Sequence, residues 1–228
     1  VEASKIASGL VRVDVVAVSE GRGGFRADQK VHYTIHHSGL ISVRWSVDFS
    51  RDNVVLPRIG VRAFLDRSLS DLCYYGRGPM ENYPDRKRGS DIGLYCSTTR
   101  DEVTPYLVPM ELGNHEDVRF AALTDSDGAG LLIAALDKPF SFSALPYSDE
   151  QLEQALHPHE LTESTATVVC ISSRVLGVGT AGCGPRPLPV YVVRSEPASF
   201  GFVLCKVSPE TADLAGLARC AVAEACYS

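Results

Sequence analysis

Ile41, Val43, Trp45, Val47 and Phe49 alternate with Ser42, Arg44, Ser46 and Asp48. A period of two buries one face of a strand and leaves the other wet. Val31, Tyr33 and Ile35 alternate with His32, Thr34 and His36 just upstream, and Ser38-Gly39 between the two runs reads as a hairpin turn. Phe120–Leu123 and Leu131–Leu136 flank Asp125-Ser126-Asp127-Gly128, a second hairpin with a glycine in its loop. Further strands fit Val11–Val18, Ile59–Leu65, Phe140–Ala144, Thr167–Leu176, Val190–Val193 and Phe200–Val207.

The period of 3.6 appears in two places. Ser148 is an N-cap for Asp149–Leu156, with Gln151 completing a capping box and Pro158 stopping the run. A second helix is expected from Pro209 to about Ala225, with Ser208 as N-cap, Pro209 in the first turn and an apolar stripe of Leu214, Leu217, Ala218, Ala221 and Val222. About ten to twelve strands with one or two short helices define an all-β sandwich of large sheets. No repeat of solenoid or propeller length is present.

Composition narrows the function classes. The chain has 228 residues, is 45% hydrophobic and carries a formal net charge of −6. It holds enough apolar material for a large core, and its acidity disfavours nucleic acid, whose phosphates need a basic face. No apolar run is long enough to span a bilayer as a helix. Val1 in place of an initiator Met suggests a piece of a longer polypeptide. The seven cysteines are odd in number, form no C-x-x-C pair and fall partly within apolar strand patterns. They read as free thiols in a reducing, cytoplasmic setting rather than as a disulfide framework.

Several motifs carry two readings. Gly177-Val178-Gly179-Thr180-Ala181-Gly182 matches G-x-G-x-x-G, but Pro185, Pro187 and Pro189 forbid the helix that a dinucleotide site requires, so it reads as a glycine-rich loop. His157-Pro158-His159-Glu160 offers metal donors in an order unlike the helical H-E-x-x-H, and a polar turn with a hydrogen-bonded histidine is the simpler expectation. His115-Glu116-Asp117 is treated in the same way. No metal site is assigned. Tyr74–Arg86, Y-Y-G-R-G-P-M-E-N-Y-P-D-R, fits neither helix nor strand and reads as an ordered aromatic loop, with Gly76 and Gly78 for unusual backbone angles. Its acids and arginines suit either acid–base work on a glycosidic bond or pairing that holds the loop together.

Tyr74–Arg86 also resembles a signature of the small-chain region of family 2 β-galactosidases. L-P-R-I-G-V-R at Leu56–Arg62, T-P-Y-L-V-P-M-E-L-G-N at Thr104–Asn114, F-S-F-S-A-L-P-Y at Phe140–Tyr147, H-P-H-E-L at His157–Leu161 and L-G-V-G-T-A-G-C-G-P at Leu176–Pro185 follow in that family's order. The resemblance implies a large antiparallel supersandwich, galactose mutarotase-like, over residues 1–207, with its first strands missing, and a helical extension over 208–228. It implies a domain that packs on a catalytic (β/α)₈ barrel in the same polypeptide and lends a rim loop to a galactoside or other small sugar. The family's catalytic glutamates have no match here, so no catalytic residue is assigned and the chain alone is expected to be inactive. The family's G-x-G-G-D-D-S-W rim loop places a Trp against the sugar. Its position falls on Gly184, and Trp45 lies in a strand pattern. Cys183, Gly184, Pro185 and Arg186 are the expected rim residues, and Tyr74, Tyr75, Tyr83 and His159 further candidates for sugar contact. No cofactor is expected in this chain, although the family often uses divalent and monovalent cations bound elsewhere, and self-association is common in it. The alternatives are an independent aldose mutarotase or epimerase, with His32, His36 or His159 beside an acid, and a carbohydrate-binding module using the tyrosines.

Overall fold

The computed structural model describes residues 1–7, 9–179 and 184–227, without the side chains of 6, 7 and 227. The strands are β1 (Glu2–Ala7), β2 (Leu10–Glu20), β3 (Arg26–His36), β4 (Ile41–Phe49), β5 (Arg58–Asp66), β6 (Asp71–Gly78) and β7 (Asp91–Thr98). They continue with β8 (His115–Val118), β9 (Phe120–Thr124), β10 (Gly130–Ala135), β11 (Phe140–Leu145), β12 (Ala166–Val175) and β13 (Ala198–Val207). The helices are α1 (Asp149–Gln154) and α2 (Leu214–Tyr227). A nine-stranded sheet runs β1-β2-β3-β4-β13-β10-β9-β6-β7 and faces a four-stranded sheet, β5-β12-β11-β8. Every named pairing is antiparallel. The chain is an all-β, two-sheet antiparallel supersandwich with two helices.

Between the sheets lie Val43, Leu72, Tyr74, Leu123 and Phe202 from the large sheet and Phe142, Val169 and Ile171 from the small one. A second layer explains the runs that do not alternate. Phe120, Ala122, Leu132, Ala134 and Val203 point away from the small sheet and are covered by Ala218 and Ala221 of α2. Strands covered on both faces read as continuous apolar runs, as in β9 and β10. At the other end of the large sheet, Val16 and Val18 on β2 are 70% and 52% exposed. That end reaches past the small sheet.

Both expected hairpins form, with Gly39 at φ 89° and Gly128 at φ 82°. The Asp125 carboxylate accepts from the Asp127 and Ala129 amides. Ser148 and Gln151 make the reciprocal capping box of α1.

Four expectations are corrected. Tyr74–Gly78 is not loop but the later part of β6, paired throughout with β7 and as far as Tyr75 with β9. Its glycines serve space rather than backbone angle: a Cβ on Gly76 would lie 2.7 Å from Val118 Cγ2, and one on Gly78 2.3 Å from the Tyr74 hydroxyl. Val190–Val193 forms no strand, because Pro187 and Pro189 lack donors, and Pro189–Tyr191 is a 3₁₀ turn. Helix α2 starts at Leu214, not Pro209. Thr211 closes a turn on Ser208, and the Asp213 carboxylate takes the capping role by accepting from Gly216 N at 2.8 Å. Finally, Cys73 and Cys96, opposite each other on β6 and β7, form a disulfide. The remaining described cysteines are free: Cys170 and Cys205 buried, Cys220 and Cys226 exposed.

Candidate functional site

Strand β6 ends at Gly78, and the chain then enters a loop held by short side-chain bonds. Asn82 is fully buried. Its amide nitrogen donates to the Arg77 and Met80 carbonyls, and its side-chain oxygen accepts from Glu116 N at 2.8 Å. Asn114 answers by donating to Asn82 O at 2.8 Å. Glu81 accepts from Gly113 N at 2.7 Å, from the Tyr106 hydroxyl and from Arg86. Arg77 and Lys87 converge on Asp117. Burial alone would raise the Asp117 carboxyl, but those two cations hold it below its ordinary range.

Beneath this loop His115 is fully buried. Its Nε2 is 2.5 Å from Glu102, and its Nδ1 is 3.0 Å from both the Tyr74 hydroxyl and the Arg77 carbonyl. Glu116 accepts from Ser141 and Asn114 and shares Lys87 with Asp117, so the donor atoms of His115, Glu116 and Asp117 are taken up by separate bonds and are not gathered as a metal-ligand group. The carboxylates of the signature, Glu81 and Asp85, accept backbone hydrogen bonds that tie the loop to the neighbouring segments.

Asp85 makes the longest-range link. Its two oxygens accept from Val178 N at 3.1 Å and Gly179 N at 2.7 Å, 93 and 94 residues away. Gly177 fits between Asp85 and Tyr191: an added Cβ would stand 2.6 Å from the carboxylate and 2.9 Å from Tyr191 Cβ. Gly179 takes φ 63°, which turns the segment back towards Pro185. The signature loop and the beginning of the expected rim loop thus form one surface. Beside them opens a cleft of about 620 Å³ between Met80, Glu81, Arg86, Arg88, Tyr106 and Tyr191. Gly184, Pro185 and Arg186 are exposed. Among the described residues the Arg186 guanidinium has no partner. Cys183 lies outside the described residues.

The tyrosine candidates are corrected in part. Tyr74 and Tyr83 are 0% exposed, so neither presents a face to a sugar. Burial pushes both phenols well above their ordinary range. Tyr75 is partly exposed, but on the outer face of the large sheet, stacked on Phe120 and under Arg119. His159 sits on a separate exposed turn with His157 and Glu160. The three histidines named for mutarotase chemistry do not converge: His32 is bound to Asp14 in the β2–β3 hairpin, His36 is buried near Glu224 of α2, and His159 is on that turn. Tyr106 and Tyr191 were not singled out by the sequence. The T-P-Y spacing gave Tyr106 a place in a motif, whereas nothing local marked Tyr191.

The profile of the β-galactosidase small chain matches residues 2–204. The chain belongs to that family. It is 38% identical over 149 residues to a β-galactosidase of Priestia megaterium, covering 65% of this chain and 14% of that protein. It is 38% identical over 158 residues to β-galactosidase BgaC of Bifidobacterium adolescentis, covering 68% and 15%. A β-galactosidase of Lactobacillus delbrueckii is 37% identical over 173 residues, covering 76% and 17%. The chain thus spans only 14–17% of the length of these relatives. Among solved structures, a galactose mutarotase-like protein of Lactobacillus casei aligns at 13% identity and TM-score 0.41, covering 90% of this chain and 72% of that one. That score is too low to bear on function.

Proposed function

We propose that the chain is the C-terminal supersandwich domain, residues 1–207 with a helical extension over 208–228, of a β-galactosidase-like retaining glycoside hydrolase. It packs on a catalytic barrel in the same polypeptide and lends its 177–186 segment to the rim of the sugar site. In such an enzyme one barrel carboxylate attacks the anomeric carbon while a second protonates the leaving oxygen. The part of this chain is positional. Asp85 fixes the start of the rim segment, and Arg186 donates to sugar hydroxyls.

The observation that carries the reading is the pair of hydrogen bonds that the Asp85 carboxylate accepts from the Val178 and Gly179 amides. It couples the family signature to a segment that leads to an exposed guanidinium, Arg186, with no partner among the described residues. Exposed apolar side chains support the docking on further polypeptide. Met80, Leu107 and Val190 are 68%, 90% and 79% exposed, and Met80 borders the cleft.

The test is Arg186→Ala in the full-length enzyme. Loss of one hydrogen bond to a neutral sugar should lower kcat/KM by about two- to tenfold. Unchanged constants on several galactosides would remove Arg186 from the site.

A further inference from the structure

His157 lies just before the 3₁₀ turn Pro158–Glu160, with an extended backbone at φ −139° and ψ 150°. In a turn of three residues the side chains at i and i+3 eclipse. Glu160 Oε1 therefore lies 3.1 Å from His157 Nδ1. The His159 ring stacks on His157, with centroids 5.4 Å apart and planes at 24°. One donor atom from each residue lies within 4.8 Å of the other two. Pro158 fixes one backbone angle, and the second Glu160 oxygen accepts from Leu156 N at 2.8 Å, so the turn and the carboxylate are held in place. His159 has no hydrogen-bond partner among the described residues.

We propose that His157, His159 and Glu160 form a three-donor surface site for a divalent transition-metal ion of the zinc class, with a fourth position open to water or to a ligand from outside the chain. Two imidazole nitrogens and one carboxylate are a donor set that zinc accepts. Bonds of about 2.0–2.1 Å in a tetrahedron place donors about 3.3 Å apart. The His157–Glu160 edge already meets that spacing. Closing the other edges needs about 1.5 Å of movement from an exposed ring, which a change of rotamer supplies. Magnesium and calcium prefer all-oxygen shells and should not compete. The helical H-E-x-x-H order is absent because this turn brings its donors together at i and i+3 instead.

The test uses the chain without a polyhistidine tag and with Cys183, Cys220 and Cys226 changed to Ser, so that thiolates cannot imitate the site. Zinc is titrated against a chromophoric chelator, and cobalt is followed by its visible absorption. The expected result is one equivalent bound, with the intense bands of four-coordinate cobalt and no effect of excess magnesium. His159→Ala removes a donor that holds nothing else in the fold and should weaken binding by about tenfold or more. His157→Ala should do the same, with circular dichroism confirming the fold of both variants. Absence of zinc and cobalt binding by the parent chain overturns the proposal. So does equal binding by parent and His159→Ala, which would place the ion elsewhere.

Discussion

Replacing Asp85 by Ala should loosen the segment around Val178 and Gly179 before it unfolds anything else. The half-buried carboxylate accepts two amide hydrogens, one on each oxygen. A bond to a charged acceptor is worth about 1.5–3 kcal/mol, and leaving its partner unpaired costs about 1–3 kcal/mol. The site is partly open, so water can reach at least one of the freed amides. The net loss should be about 1–3 kcal/mol, and a chain of this length should melt about 2–4 °C lower for each kcal/mol. The local effect is the sharper test. Amide exchange at Val178 and Gly179 should accelerate about five- to 150-fold if that free energy is lost at those two bonds. Asp85→Asn keeps one acceptor but turns an NH₂ group towards the other amide, so it should fall between parent and Ala. Exchange rates and a melting midpoint unchanged in Asp85→Ala would refute the claim that this carboxylate holds the Val178–Gly179 segment.

Other outcomes follow from the same structure. Gly76→Ala should cost about 1–3 kcal/mol in a denaturant titration, because its Cβ would press on Val118 backbone and side chain together. Asp213→Ala should cost about 0.5–2 kcal/mol and Ser208→Ala less, since Asp213 is the observed cap; equal losses would contradict that assignment. Hydrogen bonds from Arg62, then from its own amide and Ser148, pull the Glu150 carboxyl down to about 2. A depressed carboxylate contributes stability above its unfolded value, and that contribution fades as pH falls from about 4.3 towards the folded value. The melting temperature should therefore decline in that acid window, and less so in Arg62→Ala; the pair is largely exposed, so added salt should shrink the difference. The chain alone should release no nitrophenol from an aryl β-galactoside, and turnover that survives repurification would show a carboxylate pair within it.

What could be read from the sequence was what local pattern determines. Strict alternation in 41–49 and the reciprocal Ser148–Gln151 cap reappear in place. The second half of β6 was hidden because its inward positions after Tyr74 are Gly76 and Gly78, which look like breakers although they are where a neighbouring strand comes close. Ser208-Pro209 has the right residue types for a helix start, yet Thr211 offered Ser208 a turn and Asp213 offered Gly216 a cap. The Cys73–Cys96 pair has no sequence signature, since it exists only through the register of β6 against β7. The Asp85 contact joins residues more than ninety positions apart, beyond the reach of any local rule.

Those non-local bonds explain why the site sits at one end of the sandwich. The loop after β6, in the large sheet, meets the segment after β12, in the small sheet. Opposed sheets packed through Tyr74, Phe142 and Val169 cannot slide without disturbing a buried core. The ends of β6 and β12 are therefore fixed relative to each other, and the Asp85 carboxylate extends that link to Val178 and Gly179. Gly177 leaves room for Asp85, and Gly179 takes φ 63°, a left-handed conformation open to glycine. A longer side chain at 177 would displace the carboxylate and free both amides at once. Gly177→Ala should therefore reproduce the fast Val178 and Gly179 exchange of Asp85→Ala, and combining the two changes should add little, because coupled residues are not additive. Fully additive effects would mean that Gly177 and Asp85 act on this segment through separate contacts.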